Sequence, residues 1–287
     1  MRVDLMKRTL PAVALGVLAL PLNPYTATEA TAQTKAETKT RAKTAATCPI
    51  GVAHRGRVTD AQPENSLPAF KDAWKYMTWA ETDIHFSRAS SANPNGVPVL
   101  MHDATLNRTT NGSGNVSSLY SSQFVALKMK SRTGAVTSIH PPTLAEALSA
   151  AKTANKYMLL ETKTRINAAQ AREITRRIIS AGMLDRVRMQ SFNAADLKQI
   201  KAVEPRLAGG LALLTYDQPT TSAHPYAAPK ATAMTKARTD QLQAKGIKLT
   251  PWTVNDQSAW PVLKSWRVDA IITDLVWTYA EWRSAAC

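Results

Sequence analysis

The chain has 287 residues, 36 Lys and Arg against 21 Asp and Glu, a formal net charge of +15, and two cysteines, Cys48 and Cys287. Two cysteines exclude a Cys-rich metal centre, and the basic balance favours anionic partners. The length is enough for one α/β domain with a full core.

The N-terminus begins with Arg2, Lys7 and Arg8, continues through an apolar stretch at 10–22 and reaches small residues ending in Ala30-Thr31-Ala32. That layout predicts a secretory signal peptide over residues 1–32. The apolar stretch falls short of the ~20 residues a membrane span needs, and Pro21 interrupts it with Pro24 close behind, so a secreted, extracellular protein is expected, with an uncleaved anchor as the alternative. Residues 33–47 are almost entirely Ala, Thr, Lys, Glu and Arg, a composition that predicts a disordered linker. These first 47 residues hold seven basic and three acidic groups, a net +4 of the total +15, which leaves +11 on residues 48–287. Outside a cell the anions within reach are phospholipid head groups, cell-wall phosphodiester polymers and nucleic acid. The excess is equally compatible with solvated helix faces such as that of Arg172, Arg176 and Arg177.

From residue 50 onward, short runs of β-branched and apolar residues alternate with longer amphipathic stretches. Strands are predicted at 50–54, 79–86, 97–102, 157–162, 186–191, 207–214, 247–252 and 269–273. Helices are predicted at 66–77, 143–154, 168–181, 194–203, 235–245, 257–266 and 276–284. The alternation implies parallel strands with crossover helices, an α/β fold of the (β/α)8 TIM-barrel type in a single domain over 48–287. Only a polar loop separates residues 86 and 97, whereas parallel neighbours need a crossover of a dozen or more residues. The run at 97–102 is therefore assigned to a small insertion, about 87–140, lying over the C-terminal face of the barrel. The remaining wall strand is expected around 222–226. No Gly-rich nucleotide loop is present.

Four segments carry chemistry, each at or beyond a predicted strand's C-terminal end, the active face of such barrels. They are Ala53-His54-Arg55-Gly56, Glu81-Thr82-Asp83, His102-Asp103 and Glu161-Thr162-Lys163. Residues two apart on a strand share a side, so Glu81 points with Asp83, and Glu161 with Lys163. Three converging carboxylates suit one hard divalent cation, Ca2+ or Mg2+; in the alternative reading Glu81 and Glu161 merely pair with Arg55 and Lys163. His54 and His102 supply imidazoles, the side-chain type suited to paired acid and base work on phosphorus. The fork of Arg55 and the point charge of Lys163 match phosphate oxygens. His85, His140 and His224 are read as structural.

These segments, with Pro63-Glu64-Asn65-Ser66-Leu67, Arg108-Thr109-Thr110, Gln190-Ser191-Phe192, Trp252-Thr253-Val254-Asn255 and Ile272-Thr273-Asp274 in the same order, resemble the glycerophosphodiester phosphodiesterase family. The resemblance implies Glu81, Asp83 and Glu161 as metal ligands, His54 and His102 as catalytic pair, Arg55 and Lys163 near the phosphate, and Trp252 at the substrate mouth. Glu64 is implied as architectural. The implied activity is hydrolysis of a small glycerophosphodiester to an alcohol and glycerol 3-phosphate, with His54 as base or nucleophile and His102 as acid. The attacking group is water or the substrate's own 2-hydroxyl. Rival readings are a phospholipase on intact lipids and a non-catalytic binder of anionic polymers. Partners beyond the substrate are cell-wall polymers or lipid head groups, without nucleic-acid specificity, and a monomer is expected. In an oxidising compartment Cys48 and Cys287, at the two ends of a closed barrel, are expected to form a disulfide.

Overall fold

The computed structural model describes residues 47–207, 209–213 and 224–287. The expected leader at 1–32, and all of the expected linker except Thr47, lie outside the described residues. Eight parallel strands form the wall: β1 (Ile50–Ala53), β2 (Trp79–Phe86), β4 (Tyr157–Thr162), β5 (Val187–Ser191), β6 (Gly209–Leu213), β7 (Tyr226–Pro229), β8 (Lys248–Leu249) and β9 (Ala270–Thr273). Their order is β8-β7-β6-β5-β4-β2-β1-β9, and β3 (Pro98–Leu100) adds to β2 antiparallel, outside the wall. The seam between β8 and β9 is spanned by backbone bonds from Asp269 N to Leu249 O at 2.9 Å, Ile272 N to Pro251 O at 2.9 Å and Val254 N to Ile272 O at 2.8 Å. A (β/α)8 barrel results.

Helices α1 (Leu67–Ala73), α3 (Leu144–Thr153), α4 (Ala168–Ser180), α5 (Ala194–Val203), α6 (Lys236–Ala244), α7 (Ala259–Ser265) and α8 (Val276–Ala286) follow wall strands, while the short α2 (Ser121–Val125) belongs to the insertion. Their starts are encoded locally. Thr143 with Glu146 and Asn167 with Gln170 form reciprocal capping boxes, and Ser66 and Thr235 cap α1 and α6. Between wall and helices, Phe70, Leu144, Leu148, Ile174, Ile178, Leu197, Leu242 and Trp260 are buried in one core. Each such side chain contributes about 1.5–3 kcal/mol of burial. The insertion has its own cluster of Val99, Met101, Leu106, Val116 and Phe124. That is why so irregular a segment holds one shape over the barrel mouth.

Two strand expectations are corrected. The strand expected around 222–226 is β7, beginning at Tyr226 and running to Pro229, and residues 221–223 lie outside the described ones. The run at 247–252 holds a regular pair only at Lys248–Leu249, because Pro251 has no N–H to continue a ladder. Its remainder still follows β7, with Thr250 N bonded to Ala227 O at 2.9 Å and Trp252 N to Pro229 O at 3.0 Å. Cys48, just before β1, and Cys287, just after α8, are joined with Cα atoms 6.0 Å apart. No helix among the described residues is long and apolar enough to cross a membrane.

Candidate active site

β1 ends in a tight turn. Arg55 and Gly56 both adopt positive φ, 56° and 86°, and a Cβ on Gly56 would meet the Ala69 backbone of α1 at 2.8 Å. Only glycine fits there. The turn swings the Arg55 N–H onto Glu81 Oε2 at 3.0 Å and leaves His54 beside β9, where its Nδ1 lies 2.7 Å from Asp274 Oδ1.

Glu81 and Asp83 project from β2 and Glu161 from β4, with Asp83 and Glu161 paired across the parallel ladder. One carboxylate oxygen from each lies within 4.8 Å of the others, and all three residues are buried. Each is fixed from behind. Asn65 Nδ2 donates to Asp83 Oδ2 at 2.9 Å while its Oδ1 accepts the Thr82 hydroxyl at 2.6 Å. Gln190 Nε2 donates to Glu161 Oε2 at 2.8 Å. Lys163 Nζ donates to Glu161 Oε1 at 2.7 Å and lies 3.6 Å from Asp83 Oδ1, and Arg55 Nε is 3.3 Å from Asp83 Oδ2.

Ion pairing with Arg55 and Lys163 therefore occurs but is incomplete. Glu81 receives a backbone N–H and no side-chain donor, and Arg55 Nε is buried without a hydrogen bond of acceptable geometry. Burial first, then the charges of Asp83 and Glu161, push the Glu81 carboxyl well above the usual carboxylate range. Burial and Asp83 also raise Glu161 against the pull of Lys163 and Gln190. Burial works against the charge of Lys163, but Glu161 and Asp83 hold its ammonium above its usual value. A cluster of buried oxygens short of positive charge fits a hard divalent cation such as Mg2+ or Ca2+.

His102 enters from the insertion just after β3. Its Nδ1 lies 2.7 Å from Asp103 Oδ1, and Asp103 is gripped by Arg108 at 2.7 and 3.0 Å. Arg108 continues to Glu64 at 2.7 and 2.8 Å, and Glu64 accepts from Arg55 at 3.1 Å. Bonds from Arg108 hold Asp103 far below the usual carboxylate range despite partial burial. Glu64, expected to be architectural, thus ties the β1 turn to the insertion. His85 Nε2 lies 3.2 Å from the His102 carbonyl and His140 Nδ1 2.7 Å from the Leu127 carbonyl, supporting backbone as expected of structural histidines. Both site histidines engage a carboxylate through Nδ1, which leaves Nε2 for other chemistry.

At the rim, Trp252 Nε1 donates to Ala228 O at 2.7 Å, and its ring meets Phe192 edge-on at 5.4 Å. Phe192 in turn lies 5.8 Å from Lys163 Nζ. All eight residues predicted for chemistry converge on this end of the barrel. Sequence reasoning assigned no role to Asp274, Asp103, Arg108, Asn65 or Gln190. A signal existed for Asp274: it follows β9 directly, and barrel closure makes β9 the neighbour of β1 and His54.

Residues 54–278 match the sequence model of the Glycerophosphoryl diester phosphodiesterase family. Over 236 residues the chain is 27% identical to a glycerophosphodiester phosphodiesterase of Caldanaerobacter subterraneus subsp. tengcongensis, covering 78% of this chain and 93% of that one. A stretch of 69 residues is 49% identical to glycerophosphodiester phosphodiesterase 1 of Rattus norvegicus, which is 24% of this chain and only 19% of the rat protein's length. The fold is shared with an Oleispira antarctica phosphodiesterase solved in complex with sn-glycerol-3-phosphate, at a TM-score of 0.67 and 23% identity over 83% of this chain and 96% of that one.

Proposed function

Because this chain belongs to the glycerophosphoryl diester phosphodiesterase family, we propose that it hydrolyses small glycerophosphodiesters to an alcohol and glycerol 3-phosphate. One observation carries the reading. The buried triad Glu81, Asp83 and Glu161 shares a barrel mouth with two carboxylate-backed histidines and two cations, Arg55 and Lys163. The relative from Oleispira antarctica, with glycerol 3-phosphate as its product, supports the substrate class.

Glu81, Asp83 and Glu161 would hold one divalent cation, which when bound polarises a phosphate oxygen and offsets charge developing in the transition state. Arg55 and Lys163 bind the remaining non-bridging oxygens. The two histidines differ in their backing. Asp274 is bonded otherwise to the neutral Asn255 amide at 2.6 Å, whereas the charge of Asp103 is neutralised by Arg108. A positive charge arriving on His54 is therefore better compensated than one on His102. His54 accepts the proton of the attacking hydroxyl as the new P–O bond forms. His102 gives its proton to the departing alkoxide as the old P–O bond breaks. Trp252 and Phe192 form the wall against which the rest of the substrate rests.

The layout of residues 1–32 supports secretion, so the substrates would be met outside the cell, where lipid head groups and cell-wall polymers supply the chemistry. The test is release of glycerol 3-phosphate from glycerophosphodiesters, with and without a chelator, followed by add-back of Ca2+ and Mg2+. Turnover unaffected by chelation would overturn the metal reading. Cleavage of intact phospholipids with no action on deacylated diesters would overturn the substrate class.

A further inference from the structure

The barrel end opposite the carboxylates holds a cavity of about 360 Å³ whose wall includes Tyr76, Trp79, Tyr157, Tyr279, Arg188 and Arg283. Trp79 and Tyr157 open β2 and β4, and Arg188 is the second residue of β5, so this is the end where the strands begin. The Arg188 guanidinium lies 4.8 Å over the Trp79 ring and 5.9 Å over that of Tyr226, and Trp79 stacks on Tyr157 at 4.8 Å. Tyr279 is seated directly on β1: a Cβ on Gly51 would fall 2.9 Å from its ring. Arg283 reaches the same cavity from the next turn of α8 and is exposed.

Aromatic faces attract a guanidinium but accept none of its five N–H donors in the plane. Among the described residues, the side chains of Arg188 and Arg283 have no hydrogen bond or ion pair, and no acidic side chain lines the cavity. By contrast Arg55, Arg57, Arg108 and Arg132 each pair with a carboxylate. Two forked cations in an aromatic-walled cavity call for an oxyanion. Their two charges match a phosphate dianion, which carries about −1.5 to −2 at neutral pH, better than a carboxylate or phosphodiester with one.

We propose that this cavity is a second anion site, remote from the catalytic mouth, that takes a phosphate dianion, free or as the end group of a small phosphomonoester, on Arg188 and Arg283. The experiment is calorimetric titration of inorganic phosphate, and in parallel of glycerol 3-phosphate, at constant ionic strength. The background is Lys163→Met, which removes one of the two phosphate-binding charges of the catalytic mouth, Arg55 being the other, so the second cavity is read from the effects of Arg283 and Arg188. A saturable event should remain there, and Arg283→Met added to it should weaken binding about tenfold, the loss of one charge-assisted contact. Arg188→Met should abolish it. Tryptophan fluorescence should respond to phosphate through Trp79 and lose that response in Trp79→Phe. If Arg188→Met does not fold, Arg283→Met decides alone, since its side chain is exposed and unpartnered. Affinity unchanged by Arg283→Met, no saturable binding in the Lys163→Met background, or acetate binding as tightly as phosphate would each overturn the proposal. Glycerol 3-phosphate binding more tightly than inorganic phosphate would identify a monoester as the ligand; parity would identify free phosphate.

Discussion

Glu161 stands near the end of β4 with Asp83 of β2 beside it and Glu81 two residues earlier, whereas Trp79, Tyr157 and Arg188 stand where β2, β4 and β5 begin. The same strands supply both sets, and the inward positions are related by the two-residue period. Trp79, Glu81 and Asp83 share one side of β2, and Tyr157, Leu159 and Glu161 one side of β4. On β1 and β9 the rows continue past the strand ends, Val52 to His54 and Ala270, Ile272 to Asp274. Each row changes from aromatic or apolar at one end to ionisable at the other, with Val52, Leu159, Tyr226 and Ile272 as the dry layer between. Apart from Glu81, which lies level with Leu159, the two ends are thus separated by packed apolar side chains, and changes at one are expected to leave the other undisturbed.

The largest effect is expected where charge is least compensated. Chelation, or Glu161→Gln, should lower turnover by on the order of a thousandfold, the several kcal/mol that charge stabilisation at phosphorus is worth. Stability of the chelated protein should reveal the same imbalance. Glu81 has a carboxyl raised above its unfolded value of 4.5, so the native state holds a proton that the unfolded chain releases. Its unfavourable contribution is absent below pH 4.5 and grows as pH rises from there towards the folded pKa. Glu81→Gln should therefore melt above chelated wild type at neutral pH, with the difference closing towards pH 4 (about the unfolded value). Equal melting temperatures at pH 7 (about neutral) would show that the carboxylates are already neutralised by Arg55 and Lys163.

The next effect distinguishes the two histidines. His102→Ala should cost about 10²–10⁴ in kcat on a glycerophosphodiester with an alkoxide leaving group, and markedly less on a substrate that releases an acidic phenol. Equal losses on both substrates would remove His102 from the role of leaving-group acid.

How much of this end was legible beforehand follows from which interactions are local. The carboxylate triad and both histidines could be read because strand ends and the two-residue period are local properties. β7 escaped as a clear strand because Tyr226-Ala227-Ala228-Pro229 has no β-branched residue, and its place is fixed instead by pairing with β6 and β8. Asp274 and Arg108 had no legible role, since each acts across the chain, Asp274 on His54 220 positions away and Arg108 on Glu64 44 positions away. Nothing local to Arg188 marks it out in a basic chain. Only barrel closure turns it inward over Trp79.

The disulfide tests the independence of the two ends. Cys48 and Cys287, 239 positions apart, close almost the whole domain. Replacing both by Ser should cost about 3–5 kcal/mol of stability on the chain-entropy view. KM and metal titration at the opposite end should not change. A parallel loss of metal affinity would mean that closure at the strand beginnings also shapes the carboxylate mouth.

The smallest effect is expected at the rim, and it separates binding from chemistry. Trp252 follows β8, outside the ring of charged groups, with its indole N–H fixed on the Ala228 carbonyl and its ring edge-on to Phe192. On the proposed reading, a side chain in that position would touch the part of the substrate that does not react, and would help ground state and transition state alike. Trp252→Phe keeps an aromatic face but loses the hydrogen bond that orients it, a contribution of about 1 kcal/mol. KM should rise roughly fivefold while kcat stays within about twofold, the signature of lost uniform binding. Steady-state kinetics on one glycerophosphodiester, with a melting curve to register the lost bond, checks both halves. If kcat and kcat/KM instead fell together with KM unchanged, Trp252 would be acting on the reacting phosphate, and the mouth would extend the catalytic end of the barrel outward past the histidines.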